Sequence, residues 1–297
     1  MIGDLARILL DVVTPVAVCA AIGFTWARMK QPFDSQMVTR LVSNVGVPSL
    51  VFSTLVNVEI GGELFMQMAL AALLTSVFFF AIGYVILKLT ALPIRTYLNP
   101  LAFANTGNMG LPLCLLAFGD QGLALGIAYF VVNVILLLTV GIAVASNEYR
   151  LQDVLKRPFL YAVIAAGFFM TSDVEVPKVL LSTSELLGNF SIPLMLITLG
   201  FSLATLQIVN LRRAVFISFC RLGIGIPVGF GSAALMGFTG AAYGTLVLMC
   251  SMPVAVITFL LAENYGADGK SVAGAVIIST LASFATMPVL LWVLMGG

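Results

Sequence analysis

Apolar runs of roughly membrane-spanning length recur along the whole chain, separated by short clusters of Gly, Pro, Asn and charged residues. Cutting at these clusters predicts ten helical spans, at residues 9–27, 37–57, 64–88, 97–118, 122–146, 158–172, 180–205, 214–237, 241–262 and 271–295. The connections 57–63, 119–122 and 237–240 leave room only for tight turns, so neighbouring helices run antiparallel. The longest polar stretch, 146–157, falls at the middle of the chain.

Composition takes this pattern into the membrane. Of 297 residues, 61% are hydrophobic and 9% charged, and the mean hydropathy is +1.12. A soluble domain carries about 25% charged residues to cover its surface. This chain has too few, and at about 30 residues for a span and its loop it accommodates about ten helices with no soluble catalytic domain. No A-x-A pattern follows Gly23, so the first run reads as a retained span and not a cleaved signal.

The charged residues give an orientation. Loops after spans 1, 3, 5, 7 and 9 hold ten Lys and Arg, whereas the other side holds only Arg7 and Lys178. The excess of basic residues marks the cytoplasmic side. The expectation is a multi-pass protein of the cell inner or plasma membrane with both termini outside the cytoplasm.

Histidine is absent, which excludes Ser-His nucleophiles, HExxH zinc sites and His proton relays. Most acids sit in polar breaks, and the four cysteines lie singly within apolar runs, where they read as buried packing thiols. An enzyme is therefore not expected, nor a bound cofactor or metal. A formal charge of +1 gives no electrostatic footprint for nucleic acid. The lipid bilayer is the first partner the sequence implies.

The two halves resemble each other. Asn44-Val-Gly-Val-Pro48 recurs as Asn189-Phe-Ser-Ile-Pro193, an offset of 145; Ala20 to Phe24 recurs as Ile164 to Phe168; Pro112 matches Pro253 at an offset of 141. Five spans per copy is an odd number, so the second copy enters the membrane inverted. The predicted fold is an all-α polytopic membrane protein of ten transmembrane helices in two inverted five-helix repeats, 1–147 and 158–297, joined by a cytoplasmic connector at 148–157. Inverted repeats are a common build of secondary transporters, with the substrate held near the midplane by discontinuous helices.

The sharpest local signal is Asn105-Thr-Gly-Asn108-Met-Gly110-Leu-Pro112 in span 4. Two glycines weaken the helix, Pro112 removes a backbone donor, and the asparagines can satisfy freed backbone groups. The stretch is expected to unwind, as is its counterpart Ser251-Met-Pro253 in span 9. Unwound backbone at membrane depth persists only where protein buries it or a polar cavity wets it. Half-helix N-termini beside Asn amide donors suit a carboxylate. Asn133 in span 5 returns to the same depth, as a site residue or as an interhelical hydrogen bond. Arg221, about 12 Å into span 8 at 1.5 Å per residue, is a charged residue at functional depth; snorkelling to the surface or pairing with Glu263 are its alternatives. For a coupling ion, H+ or Na+, the candidates are Glu263, which otherwise reads as a solvated helix end, and the oxygens of Asn108, Ser251 and Thr258.

These residues together with Met252 to Gly266, Arg221 to Pro227 and the short central connector resemble the auxin efflux carrier family in its compact bacterial form, across essentially the whole chain. The resemblance implies a scaffold from spans 1, 2, 6 and 7 that tends to form homodimers, and a transport domain from spans 3–5 and 8–10 carrying broken crossover helices 4 and 9. It also implies export of auxin-like monocarboxylates or handling of malate- or malonate-like dicarboxylates, with Asn105 or Asn108 and Asn133 in the site. Span 3 shows no acid and lysine pair at the place where plant members carry their proton-linked candidates. The expected function is secondary transport of a small organic anion by elevator-type alternating access at Asn105, Asn108, Pro112, Asn133, Ser251 and Pro253. An anion channel of the same fold, or a ligand receptor that does not transport, are the alternatives.

Overall fold

The computed structural model of the chain describes residues 9–58, 61–146, 155–172 and 174–295. Most of the central connector lies outside these residues. Among the described residues, helix fills the predicted apolar runs. α1 (Thr14–Arg28) follows a π-helical turn at Leu9–Val13; α2 (Ser35–Leu41) passes through a second such turn at Val42–Gly46 into α3 (Val47–Asn57). α4 (Gly62–Leu89), α5 (Ile94–Ala102), α6 (Leu111–Leu136) and α7 (Ile142–Ser146) complete the first half. The second half contains α8 (Pro158–Thr171), α9 (Lys178–Thr205), α10 (Leu211–Leu235), α11 (Gly240–Cys250), α12 (Val256–Asn264) and α13 (Gly269–Leu294).

Local chemistry sets the boundaries. Pro15, Pro48, Pro112 and Pro158 sit in first turns, where a missing N–H costs nothing. The side chains of Asp34, Asn210 and Asp268 cap α2, α10 and α13 by accepting backbone N–H groups. The turn predicted at 119–122 is present: Gly119 has φ 64° and ψ −158°. Cys114 lies against Gly126 beyond it, so α6 folds back on itself as two arms.

Among the described residues, six stretches, Leu10–Arg28, Gly62–Leu89, Thr106–Ser146, Lys178–Thr205, Leu211–Leu235 and Gly269–Leu294, are long and apolar enough to cross a bilayer, and Pro158–Thr171 and Gly240–Cys250 are shorter apolar helices. The molecule is polytopic and its polarity is that of a membrane protein. Phe219 is 76% exposed while Arg221, two residues on and facing inward, is 0% exposed. Lipid does not drive helices together by the hydrophobic effect, so close backbone approach has to hold them. Glycine supplies it. A Cβ at Gly23 would strike the Ile197 carbonyl, one at Gly200 the Ala20 carbonyl, and one at Gly188 would lie 2.8 Å from Leu50 Cα. α9 thereby packs on α1 and α3. Gly46 also faces Ser191, and these two positions are themselves 145 residues apart.

Candidate functional site

Two helices are interrupted and the interruptions meet. The chain leaves α5 at Ala102 with Phe103 extended (φ −103°, ψ 117°) and enters a π-helical turn, Thr106–Gly110, that leads into α6. On the other side, α11 ends at Cys250 and α12 starts at Val256. Ala104 and Val254 form an antiparallel bridge: the Asn105 N–H donates to the Pro253 carbonyl at 2.8 Å and the Ala255 N–H to the Phe103 carbonyl at 3.2 Å. Pro253 suits this place because only its carbonyl is needed. The Val254 N–H donates to Ser279 Oγ on α13 at 3.1 Å. Backbone groups freed by the breaks thus find partners inside the protein, as burial in lipid demands.

The unwound segment is shorter and earlier than the sequence suggests. Only Phe103–Asn105 leaves helical geometry, whereas Thr106–Gly110 stays helical with one extra residue in the turn. Pro112 starts α6 and is not in the break, while Pro253 is in it; the two prolines matched by sequence are therefore not equivalent in space. The bridge itself pairs Ala104 with Val254.

Among the expected site residues, Asn105 lies in the bridge, 5% exposed, with its Nδ2 buried and unpartnered. Asn108, in the π turn, lines a small pocket with Thr39, Ser43, Met195 and Thr198, which places it between the interruption and the α2–α3 and α9 helices. Asn133 is buried. It follows Phe130 by one turn, and Phe130 lies 3.1 Å from the Cβ position of Gly107, so this face of α6 borders the π turn. The Ser251 hydroxyl donates to Val247 O and the Thr258 hydroxyl to Ala255 O; both are buried at the second break. The polar stripe of α13 reaches the same place: Ser283 Oγ contacts Met109 Sδ at 3.7 Å, and Thr280 Oγ1 is buried without a partner.

Arg221 neither snorkels nor pairs with Glu263. It is fully buried and donates through Nε to Met252 O (3.2 Å), Nη1 to Leu101 O (3.0 Å) and Nη2 to Cys250 O (2.9 Å), with its guanidinium 4.2 Å from the Phe79 ring centroid. Glu263 is exposed in the last turn of α12, its Cγ against Gly269, and the fold does not bring it to the breaks. Phe103 and Met252 are buried in the apolar core.

One residue escaped the sequence reading. Asn99 is buried, donates from Nδ2 to Gly141 O at 2.8 Å and has an unpartnered Oδ1. Its signal was available as an asparagine followed by Pro100 within an apolar run, six residues ahead of Asn105. Among the described residues, the assembled site holds amide and hydroxyl groups and none of the acids. Among the described residues no group of three or more His, Cys, Asp or Glu could hold a metal. Such a place can bind a solute through hydrogen bonds and helix dipoles.

Known proteins similar to the chain are membrane transport proteins. Residues 8–153 and 142–293 match the model of a family described as membrane transport protein. An uncharacterized transporter of Methanocaldococcus jannaschii is 22% identical over 306 residues, covering 97% of this chain and 99% of the relative. An uncharacterized transporter of Methanothermobacter thermautotrophicus is 26% identical over 275 residues, covering 87% and 88%. The chain belongs to this membrane transport family, the one that includes the auxin efflux carriers.

Proposed function

We propose that this membrane transporter carries a small organic carboxylate across the bilayer by elevator-type alternating access, with the paired interruptions as its binding site. The observation that carries the reading is the buried, unpartnered Asn105 amide beside the start of the Thr106–Gly110 turn and α6. A buried donor without an acceptor is costly, and an anion supplies the acceptor. The N-terminal ends of α6 and α12 add partial positive charge at the same place. In this reading α1–α3, α8 and α9 form a static scaffold suited to a homodimer, and the remaining helices move against it as the two inverted copies exchange roles. The pocket at Asn108 then lies on the sliding surface, where a bound solute would contact both parts.

The test begins with a thermal-stability screen of mono- and dicarboxylates on purified protein, since a ligand of the folded state raises its stability by mass action. A hit is then followed in liposomes. Saturable uptake with counterflow supports the carrier. Unitary conductance steps would make it a channel, and binding without flux across tight vesicles would make it a receptor.

A further inference from the structure

The two helix C-termini that meet at the interruptions present a problem the sequence solves with Arg221. α5 ends at Ala102 and α11 at Cys250, and each carries roughly half a negative charge on its last carbonyls. Opposed at membrane depth, they amount to about one negative charge with no water to screen it. In transporters with broken helices, such carbonyl ends commonly coordinate a sodium ion. Here the guanidinium occupies that position, donating to Leu101 O, Cys250 O and Met252 O at 2.9–3.2 Å with Phe79 stacked on its face. Three of its five N–H groups go to carbonyls contributed by both interrupted helices, so one side chain ties the two breaks together.

We propose that Arg221 is a built-in replacement for a coupling cation: a positioning residue whose fixed charge cancels the two C-terminal dipoles and leaves the two N-terminal dipoles free to hold an anion. Summed over the crossing, the C-termini and Arg221 cancel, and the two N-termini leave about one positive charge, enough for a monoanion. Anion binding then has no need of Na+, and the anion crosses carrying net charge. The charge balance rests on the interruptions alone; its consequence for flux rests on the carboxylate reading above.

The experiment compares thermal unfolding of the purified protein in sodium chloride and in choline chloride at equal ionic strength, for wild type, Arg221→Lys and Arg221→Met. Wild type is expected to unfold at the same temperature in both salts. Arg221→Met is expected to lose several degrees in choline and to recover part of that loss in sodium, because Na+ can enter the vacated carbonyl cluster. Arg221→Lys, which keeps a cation there, is expected to show no such recovery. Should Arg221→Met fail to fold while Arg221→Lys folds, the requirement for charge is met and the wild-type comparison decides between Arg221 and sodium. Sodium-specific stabilisation of wild type, or an Arg221→Met variant as stable as wild type in choline, overturns the proposal. None of these measurements needs a substrate, so an empty carboxylate screen would sink the carboxylate reading and its consequence for flux without touching the charge balance at Arg221.

Discussion

Asn99 and Asn105 are buried amides six residues apart, and truncation should separate their roles. Asn99 Nδ2 donates to the Gly141 carbonyl; Asn99→Ala removes that buried hydrogen bond, and such a loss costs about 0.5–1.5 kcal/mol. Thermal unfolding of the variant should report a clear drop. Asn105 Nδ2 has no partner, so Asn105→Ala removes a desolvated donor and should leave the unfolding temperature unchanged or slightly raised. Its effect falls on the ligand instead. Losing one hydrogen bond to a charged acceptor costs about 1.5–3 kcal/mol, a tenfold or greater loss of affinity, measurable in the carboxylate titration. Asn108→Ala should behave likewise, because its side chain faces a pocket and not a neighbouring carbonyl. If both variants bind and transport as wild type does, the interruption is a structural kink only.

At the scale of elements, the helices are held by backbone contact at glycine. A Cβ at Gly200 meets the Ala20 carbonyl, main chain against main chain, and neither side has a flexible end that can move away. Gly200→Ala should separate α1 from α9 and destabilise by about 1–3 kcal/mol, as overpacking does, whereas Gly61→Ala, with nothing within 4 Å, should be neutral in the same unfolding assay. The sequence carried much of this level. Apolar runs located the helices, Gly119 located the fold-back, and Asn105 with Pro253 marked both interruptions. It misplaced Pro112, because a proline in an apolar run reads as a break whether it ends one helix or opens the next; only the preceding residues, held extended by Pro253 across the bridge, decide. It left Arg221 open for a related reason. Its partners are carbonyls of Leu101, Cys250 and Met252, and a backbone oxygen has no identity in a sequence. Asn99 went unnoticed because its partner is also a carbonyl, 42 residues away.

For the whole molecule, side-chain contacts sort the loops as the basic residues do. Arg95, after the third predicted span, donates to Ala145 O and Tyr265 O, joining the ends of the third, fifth and ninth connections. Asn57 donates to Glu185 at 2.7 Å, joining the second and sixth. With ten basic residues on the first side, cysteines introduced at Gln31 and Gln207 should label from the cytoplasm and one at Gly61 from outside, each above the wild-type background. The reverse pattern would overturn the orientation and with it the inversion of the second half. Energy coupling follows from the same frame. Moving one negative charge against the membrane potential costs about 2.3 kcal/mol per 100 mV, so the potential opposes inward transport of a bare anion and favours its export. A proton would need a titratable carrier where the helices move. Of the acids considered, Glu263 comes nearest along the chain, yet it stands exposed at the end of α12 beside Gly269, on the basic side and away from the bridge. If Arg221 replaces the coupling cation in the carbonyl cluster as proposed, the carboxylate reading makes the membrane potential the driver of efflux. Glu263→Gln should therefore keep wild-type flux, and keep it across a pH gradient of either sign in liposomes with the potential clamped. Loss of gradient-driven flux in that variant, with binding and counterflow intact, would make Glu263 the proton site and return the protein to cation-coupled transport.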